Sequence, residues 1–242
     1  MPHAQPLVNP VSFPSVPLSS LRCTHALDCT TNMFLVTLGL SETVLVLSKT
    51  PSERHSLVEA ELMSCLPEAE FVLRQTHSLW SVFDSLHPGL TMPVLGSAGV
   101  EVALPLQSVP WSVKLAWAKD VAAAVAWLRA QTPFWGDLKT ANIVLCTDGH
   151  CRLIDYCPGG RRPRHTRDVF ALGLVLWAIA EEVGSFEREK QDASPLSPWS
   201  LHTPRWFQAL VRSCFEIEPD RRPSARAVYD DVASCEWLGK QA

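Results

Sequence analysis

Four polar residues between positions 137 and 155 have the side chains needed to hold a metal ion and a phosphate group. They are Asp137, Lys139, Asn142 and Asp155. The oxygens of Asn142 and Asp155 suit Mg²⁺, which takes a few hard oxygen ligands and completes its shell with water and substrate phosphates. Asp137 could orient or accept the proton of an attacking hydroxyl, while Lys139 would offset charge on a transferred phosphate. Taken singly, each is also a typical solvated turn residue. Together they predict a phosphate site.

A short hairpin would bring the two expected metal ligands together. The dipeptide Asp148-Gly149 lies between two short apolar runs, which is a strong signal for paired strands joined by a tight turn. Asn142 comes just before the first run, and Asp155 comes just after the second. The pattern therefore places these two side chains near each other, where both could ligate one metal ion.

Four segments of the chain resemble signature motifs of eukaryotic protein kinases. Asp-Leu-Lys-Thr-Ala-Asn at 137–142, followed by Leu-Ile-Asp at 153–155, resembles the catalytic loop and the metal-binding strand. Residues 167–177 resemble the large buried helix of the family, whose leading Asp braces the catalytic loop backbone. Pro-Asp-Arg-Arg-Pro-Ser at 219–224 resembles the Arg-Pro signature before the last helix. The resemblance covers residues 111–237, about half of the chain.

The resemblance implies a fold, cofactors and roles for the residues. The expected fold is α+β and bilobal, with a small β-rich N-terminal lobe and a larger helical C-terminal lobe. ATP and Mg²⁺ are the expected cofactors, with Asn142 and Asp155 holding the metal. Asp137 and Lys139 are the expected catalytic residues. Lys49 would contact the nucleotide phosphates.

The N-terminal half predicts a small sheet with one helix. Residues 1–24 are expected to form a disordered or extended leader, residues 25–99 the N-terminal lobe and residues 100–238 the C-terminal lobe. Expected strands lie at 33–38, 43–47, 71–76 and 92–95, and residues 96–99 are expected to form a hinge to the helical lobe.

The expected second nucleotide residue lies on the helix that follows the first two strands. Glu61 is the preferred partner for Lys49, and Glu59 is the second choice. The alternative is that both glutamates lie on an exposed helix face and that Lys49 protects a sheet edge.

The C-terminal half shows clear helical periodicity. Apolar residues recur at helical spacing through 111–130, and residues 166–183 are apolar on nearly all sides, which is typical of a central buried helix. Two amphipathic helices are predicted at 203–215 and 224–235. The tryptophans are interpreted as core residues.

The N-terminal half and the catalytic loop depart from the kinase pattern. No Gly-x-Gly-x-x-Gly loop precedes the expected lysine, so backbone N–H groups would approach nucleotide phosphates less closely. Trp135-Gly136 stands where the family has His-Arg, which removes an arginine that would pair with a phosphorylated activation loop. Tyr156-Cys157 replaces the Phe-Gly that follows the metal-binding aspartate.

The segment after Asp155 is also short. Only twelve residues separate Asp155 from Asp168, where the family has about three dozen, and no Ala-Pro-Glu is present. Arg222 would therefore lack its family partner. A short basic loop at 158–164 is expected in place of the platform on which a peptide substrate lies.

The composition limits the classes of partner and the cellular compartment that we expect for this protein. The 242 residues are 47% hydrophobic, and the formal net charge is −4 without an extended basic cluster, which argues against nucleic acid as a partner. No apolar run reaches the ~20 residues of a membrane span. A cytoplasmic protein with reduced cysteines is expected. Cys146, His150, Cys151 and Cys157 lack the paired spacing typical of zinc sites.

Three functions remain open from the sequence. The first is a divergent protein kinase that transfers the γ-phosphoryl group of ATP to a Ser, Thr or Tyr hydroxyl of a protein substrate. The second is a catalytically weak or inactive pseudokinase that acts as a binding module. The third is a small-molecule phosphotransferase, because Gly136-Asp137 and Ile154-Asp155 also resemble the loops of aminoglycoside and choline kinases.

Overall fold

The structure is a computed structural model, and it describes twelve segments of the chain. The described residues are 15–17, 21–26, 33–38, 44–49, 77–80, 89–93, 98–99, 108–131, 138–146, 148–153, 165–184 and 199–238. The chain divides into two compact units, one of Met1–Glu68 with Leu73–Val94 and one of Ala69–Val72 with Leu95–Ala242. Helices and sheets are both present, so the fold class is α+β.

The first unit contains a six-stranded sheet in the order β1-β5-β6-β4-β3-β2. Antiparallel pairing joins all neighbours except β1 and β5, which are parallel. The alternating Val and Leu residues of β4 favour extended backbone. The strands are β1 (Ser15–Pro17), β2 (Leu21–Ala26), β3 (Met33–Leu38), β4 (Val44–Lys49), β5 (His77–Trp80) and β6 (Gly89–Pro93).

The strands predicted at 33–38 and 43–47 are confirmed, and they pair antiparallel as β3 and β4, with Phe34 opposite Leu47. The strand predicted at 92–95 begins earlier, at Gly89, because β6 pairs along β4 as far as Lys49. The predicted leader contains β1 and most of β2. The strand predicted at 71–76 and the helix predicted to carry Glu61 lie outside the described residues.

The second unit combines a three-stranded sheet with the helices. Strand β8 (Ile143–Leu145) lies between β7 (Ala98–Gly99) and β9 (Cys151–Leu153), and both neighbours are antiparallel to it. The predicted hinge at 96–99 thus includes a strand, because the backbone of β7 pairs with β8.

Four α-helices follow the positions that apolar periodicity predicts. They are α1 (Trp111–Gln131), α2 (His165–Glu181), α3 (Arg205–Ser213) and α4 (Ala225–Leu238). None of the helices among the described residues has both the length and the apolar character needed to cross a membrane.

The core of the second unit forms around α2. Leu172, Val175 and Leu176 have no exposed surface, as expected for a helix that is apolar on nearly all sides. Helix α1 packs against α4, α2 and β9. The interpretation of tryptophans as core residues holds for Trp117 and Trp177, which are both 6% exposed.

Candidate functional site

A short turn holds Lys139 and Asn142 at the entrance to β8. Residues Thr140–Asn142 form one turn of 3₁₀ helix, in which the Asn142 N–H donates to the Lys139 carbonyl oxygen at 3.0 Å. Asn142 is buried and Lys139 is half-buried. The turn therefore fixes the spacing of these two predicted site residues.

Burial of one side chain and one hydrogen bond anchor this turn to the core. Leu138, the residue just before Lys139, is 1% exposed. The Thr140 hydroxyl donates to the Gly184 carbonyl oxygen at 2.6 Å, which ties the turn to the chain just after α2. The residues on either side of Lys139, Leu138 and Thr140, are therefore both held by other parts of the fold.

The predicted hairpin is present and brings the end of β9 beside the start of β8. Ile143 pairs with Leu153 and Leu145 pairs with Cys151. Gly149 supplies the positive φ, 85°, that the turn requires. Asn142 precedes the Ile143–Leu153 pair by one residue, and Asp155 follows it by two residues in the sequence.

The structure describes three of the six predicted site residues. Lys139 and Asn142 lie together in the second unit, and Lys49 is the last residue of β4 in the first. Because β4 is paired on both sides, by β3 and β6, Lys49 does not lie on a sheet edge. Asp137, Asp155 and Glu61 lie outside the described residues.

Two of the described residues have side chains that could serve a metal and phosphate site. Asn142 is buried and carries an amide oxygen of the hard type that Mg²⁺ takes, and Lys139, three residues earlier, carries a cation that could meet phosphate oxygens. Within the described part of the chain, no three His, Cys, Asp or Glu side chains are grouped as metal ligands. Burial raises the pKa of the Cys151 thiol well above its usual value, which favours the neutral thiol over the thiolate that binds zinc.

A buried carboxylate on α1 holds the hairpin turn. One oxygen of Asp120, a side chain that is 4% exposed, accepts the Cys151 N–H at 2.9 Å and lies 3.0 Å from Nδ1 of His150. One turn earlier on α1, the Trp117 indole N–H donates to the Gly149 carbonyl oxygen at 3.2 Å. Helix α1 therefore fixes the hairpin whose open end carries the candidate site.

Two substitutions of Asp120 should distinguish the contribution of its hydrogen bond to stability from that of its charge. Asp120→Ala leaves the buried Cys151 N–H without its acceptor, and we expect a loss of about 1–3 kcal/mol in the free energy of unfolding. Asp120→Asn can present an amide oxygen at the same point, so its loss at neutral pH should be clearly smaller. Urea unfolding of both variants measures this difference, and equal losses would contradict it.

The stability difference between the wild type and Asp120→Asn should depend on pH. Burial raises the pKa of Asp120 above its ordinary 3.8, although the Cys151 N–H and His150 oppose the rise. A carboxyl whose pKa is higher in the folded state stabilises the fold most when protonated. The wild type should therefore lose stability relative to Asp120→Asn as the pH rises from about 4 through the raised pKa. A pH-independent difference would count against this assignment.

A second buried carboxylate joins α1 to α2. Asp168, whose side chain is 3% exposed, lies 3.1 Å from Nη1 of Arg129 near the end of α1. The kinase resemblance assigns the leading Asp of this helix to bracing the catalytic loop. Among the described residues, Asp168 pairs with the helix that precedes this loop, and the loop residues 132–137 lie outside the described ones.

The end of α2 has an unusual backbone conformation. Glu182 follows the helix with φ of 59°, in the left-handed region that favours glycine. The Val183 N–H then donates to the Ala178 carbonyl oxygen at 2.9 Å, which is the hydrogen bond of a Schellman motif. This sharp end directs the chain to Gly184, the acceptor for Thr140.

Two contacts hold Glu182 in this conformation. One of its oxygens accepts the Val109 N–H at 2.9 Å and lies 3.0 Å from the Lys114 ammonium. Burial alone would raise the pKa of Glu182, but these two donors hold it below its usual range. Lys114 also donates to the Ala180 carbonyl oxygen at 2.8 Å. The start of α1 thus caps the end of α2.

Sequence reasoning missed Asp120, Arg129 and Glu182 as positioning residues. A signal existed for Asp120, because it shares one helix face with Trp117, three residues before it, and Ala124, four residues after it, and an acidic residue on an apolar face is expected to be buried with a partner. No comparable signal existed for Glu182, whose partners lie 68 and 73 residues away along the chain.

Comparison with known proteins gives weak but consistent similarities. No family model matches the chain. It is similar to a serine/threonine-protein kinase of Eremothecium gossypii, with 27% identity over 119 residues, 39% of this chain and 35% of the relative. It is also similar to a probable serine/threonine-protein kinase of Dictyostelium discoideum, with 24% identity over 200 residues, 65% of this chain and 25% of the relative. The chain thus spans about a third or less of these curated relatives, and the similarities support a kinase-like relationship.

Proposed function

We propose that this chain is a divergent protein kinase domain of bilobal architecture, which uses ATP and Mg²⁺ to phosphorylate a protein hydroxyl, Ser or Thr in preference to Tyr. The observation that carries the proposal is the register of the hairpin, in which Ile143 pairs with Leu153. Asn142 comes one residue before this pair at the open end of the hairpin, and Asp155 comes two residues after it in the sequence. The names of the two relatives favour Ser and Thr.

The described residues support the proposed site through their burial and anchoring. Asn142 is 6% exposed and Lys139 is half-buried, and the Thr140–Gly184 hydrogen bond fixes the turn between them. A preorganised ligand and cation lose little entropy when substrate binds, which is how a positioned site lowers a barrier. A solvated turn would not be held at both ends.

In this mechanism the bound nucleotide and metal supply the phosphoryl group and the neutralisation of its charge. Asn142 and Asp155 would hold the metal through their side-chain oxygens. Lys139 would offset the negative charge on the transferred group, while Asp137 would orient the attacking hydroxyl and accept its proton. Lys49, with Glu61 as its proposed partner, would position the nucleotide phosphates.

A pseudokinase is the second candidate. It is favoured by the sequence between Asp155 and α2, because α2 begins at His165, only ten residues later, which leaves little chain to form a platform for a peptide substrate. The Gly-rich phosphate loop is also missing from the sequence. In this alternative the fold persists as a binding module.

Thermal denaturation with ATP and Mg²⁺ tests the metal-nucleotide site. Ligand that binds only the folded protein stabilises it by about 2.7 kcal/mol at a hundred times its Kd. We expect a Mg²⁺-dependent rise in Tm that is lost in Asp155→Asn and retained in Asp148→Asn, which removes an exposed carboxylate at the other end of the hairpin.

Phosphoryl transfer from radiolabelled ATP then separates the two candidates. Transfer that is lost in Asp137→Asn, while the Tm shift remains, supports the kinase. A Tm shift without transfer indicates a pseudokinase that binds nucleotide. No Tm shift at millimolar ATP would overturn the proposed function.

A further inference from the structure

Helix α3 has one buried face and one exposed face. The buried face is formed by three apolar residues, Phe207, Leu210 and Val211. The exposed face carries Arg205, Ala209 and Arg212, whose spacing of four and three residues places them on one side of the helix. A helix rises by about 10 Å over seven residues, so the backbone positions of the two arginines are about that far apart. Helix α3 thus presents two cations on one side.

The two arginines of α3 are not used by the described fold. Within the described part of the chain, neither Arg205 nor Arg212 forms an ion pair or a side-chain hydrogen bond. The acidic residue that follows α3, Glu216, is exposed and pairs with neither of them. Arg226, an exposed arginine of α4, by contrast pairs with Asp230. The donors of the two α3 arginines therefore face solvent or an entering acceptor.

The stability of α3 does not account for the charge of Arg205. Arg205 is the first residue of the helix, and the first turn has no acidic residue. The N-terminal end of a helix carries partial positive charge, so a cation there is unfavourable. Arg212 lies in the last turn, where the helix dipole favours a cation. A role in binding explains the presence of Arg205 better than a role in folding does.

An exposed aliphatic side chain lies at each end of α3. Leu201 comes just before the helix and is 101% exposed, and Ile217 comes just after it and is 82% exposed. One such side chain alone is ordinary at a protein surface. Two of them at the ends of a helix with unpaired arginines indicate a contact surface, because interfaces combine apolar contacts with arginine. We call Leu201, Arg205, Arg212 and Ile217 the α3 surface.

The charge of the α3 surface limits the class of partner. Two arginines are too few for nucleic acid, whose binding depends on contacts with many phosphates. An anionic membrane likewise attracts clusters of four or more basic residues. The net charge of −4 also repels an extended polyanion at longer range. A short acidic segment does not meet these limits, because each guanidinium fork matches one carboxylate.

We propose that the α3 surface is a docking site for an acidic segment of a partner protein, in which two carboxylates flanked by aliphatic side chains meet Arg205 and Arg212. The aliphatic side chains of the partner lie against Leu201 and Ile217 at the two ends. Ala209, between the arginines, leaves room for the partner backbone to approach the helix. The α3 surface shares no residue with the proposed phosphoryl-transfer site, so either proposal can fail without the other.

Fluorescence anisotropy with labelled peptides tests the proposal on the full chain. Two peptides carry a pair of glutamates between terminal leucines, four residues apart to suit an extended segment or seven apart to suit a helical one. A copy of each has glutamine in place of both glutamates. We expect at least one glutamate peptide to bind more tightly than its copy. The double variant Arg205→Gln with Arg212→Gln should weaken that binding about tenfold, because two exposed ion pairs at this separation contribute nearly independently. Leu201→Ser should weaken it about threefold or more.

Arg226→Gln is the matched control, because it removes the same charge from an exposed arginine of another helix. Its affinity for the peptide should stay within about twofold of wild type, the effect of a screened surface charge. Urea unfolding curves check that each variant keeps its fold, as expected for exposed positions.

Four results overturn the proposal. They are no binding of either glutamate peptide, equal binding of the glutamine copies, unchanged binding in the double variant, and equal weakening by Arg226→Gln. Vesicles that contain phosphatidylserine form a further arm of the experiment. Vesicle binding that depends on Arg205 and Arg212, without binding of either peptide, would assign the α3 surface to a membrane and also overturn the proposal.

Discussion

Replacing Arg129 by methionine should destabilise the second unit by about 3–5 kcal/mol, the cost of removing one partner from a buried ion pair. Arg129 is the partner of Asp168, whose carboxylate is almost completely buried at the start of α2. Methionine keeps much of the length and apolar character of the arginine stem, so the loss reflects removal of the ion pair more than lost packing. The measurement is the free energy of unfolding in urea at neutral pH.

The exposed pair between Arg226 and Asp230 provides the comparison. Both side chains are more than half exposed, so the charges are screened by water and Arg226→Gln should cost at most about 0.5 kcal/mol. The double variant Arg129→Met with Asp168→Leu removes both buried charges and should recover part of the stability lost in Arg129→Met alone. A loss in Arg129→Met as small as that in Arg226→Gln would show that burial of Asp168 does not govern this contact.

Replacing Gly173 by alanine should also cause a large loss in the free energy of unfolding. Gly173 lies within α2 where a Cβ atom would be 2.6 Å from the Cβ of Cys214 and 2.9 Å from the ring of Phe215. The Cys214 Cβ is attached to the backbone, so α2 and the end of α3 must move apart. Overpacking of this kind costs about 1–3 kcal/mol and sometimes more, which outweighs the gain of about 1 kcal/mol in helix propensity.

Gly149→Ala provides the comparison with Gly173→Ala, because at Gly149 the cost of a side chain comes from the backbone conformation and not from lack of space. No atom lies within 4 Å of a Cβ at Gly149, but its φ is 85°. The expected loss is therefore only the cost of left-handed backbone, about 1–2 kcal/mol. Thermal unfolding of both variants measures the difference. If Gly173→Ala were as stable as the wild type, the close packing of α2 against Cys214 would be wrong.

The candidate phosphate site depends on two helices. Helix α1 holds the hairpin through Asp120, and Thr140 ties the turn to the chain just after α2. A cavity at the junction of α1, α2 and the start of α4 is lined by Arg129, which also carries the α1–α2 ion pair.

The local elements of this protein follow from its sequence. Helices α1 and α4 begin within a residue of the predicted starts, because apolar residues at helical spacing must share one face. The hairpin follows from Gly149, since the turn needs a residue that tolerates positive φ. The four candidate residues, from Asp137 to Asp155, were also found from sequence, because their types and order carry the chemistry.

The positions of the hairpin and of the Lys139–Asn142 turn depend on contacts between distant parts of the chain. Asp120 meets Cys151 across 31 residues, and Thr140 meets Gly184 across 44. The strand predicted at 92–95 shifted for the same reason, since pairing with β4 and not its own propensity fixed where β6 begins. Sequence periodicity reports which face of an element is apolar, but it does not report which element will cover that face.

The sequence by itself therefore determined the four helices and the β8–β9 hairpin of the second unit, the candidate catalytic residues and the resemblance to kinases. Only the tertiary structure decided that Arg129 pairs with Asp168, that Glu182 turns the chain after α2, and that Arg129, Arg222 and Arg226 face one cavity. The physical reason is that propensity and periodicity act over a few residues, whereas burial of a charge or convergence of cations depends on which distant segments pack together.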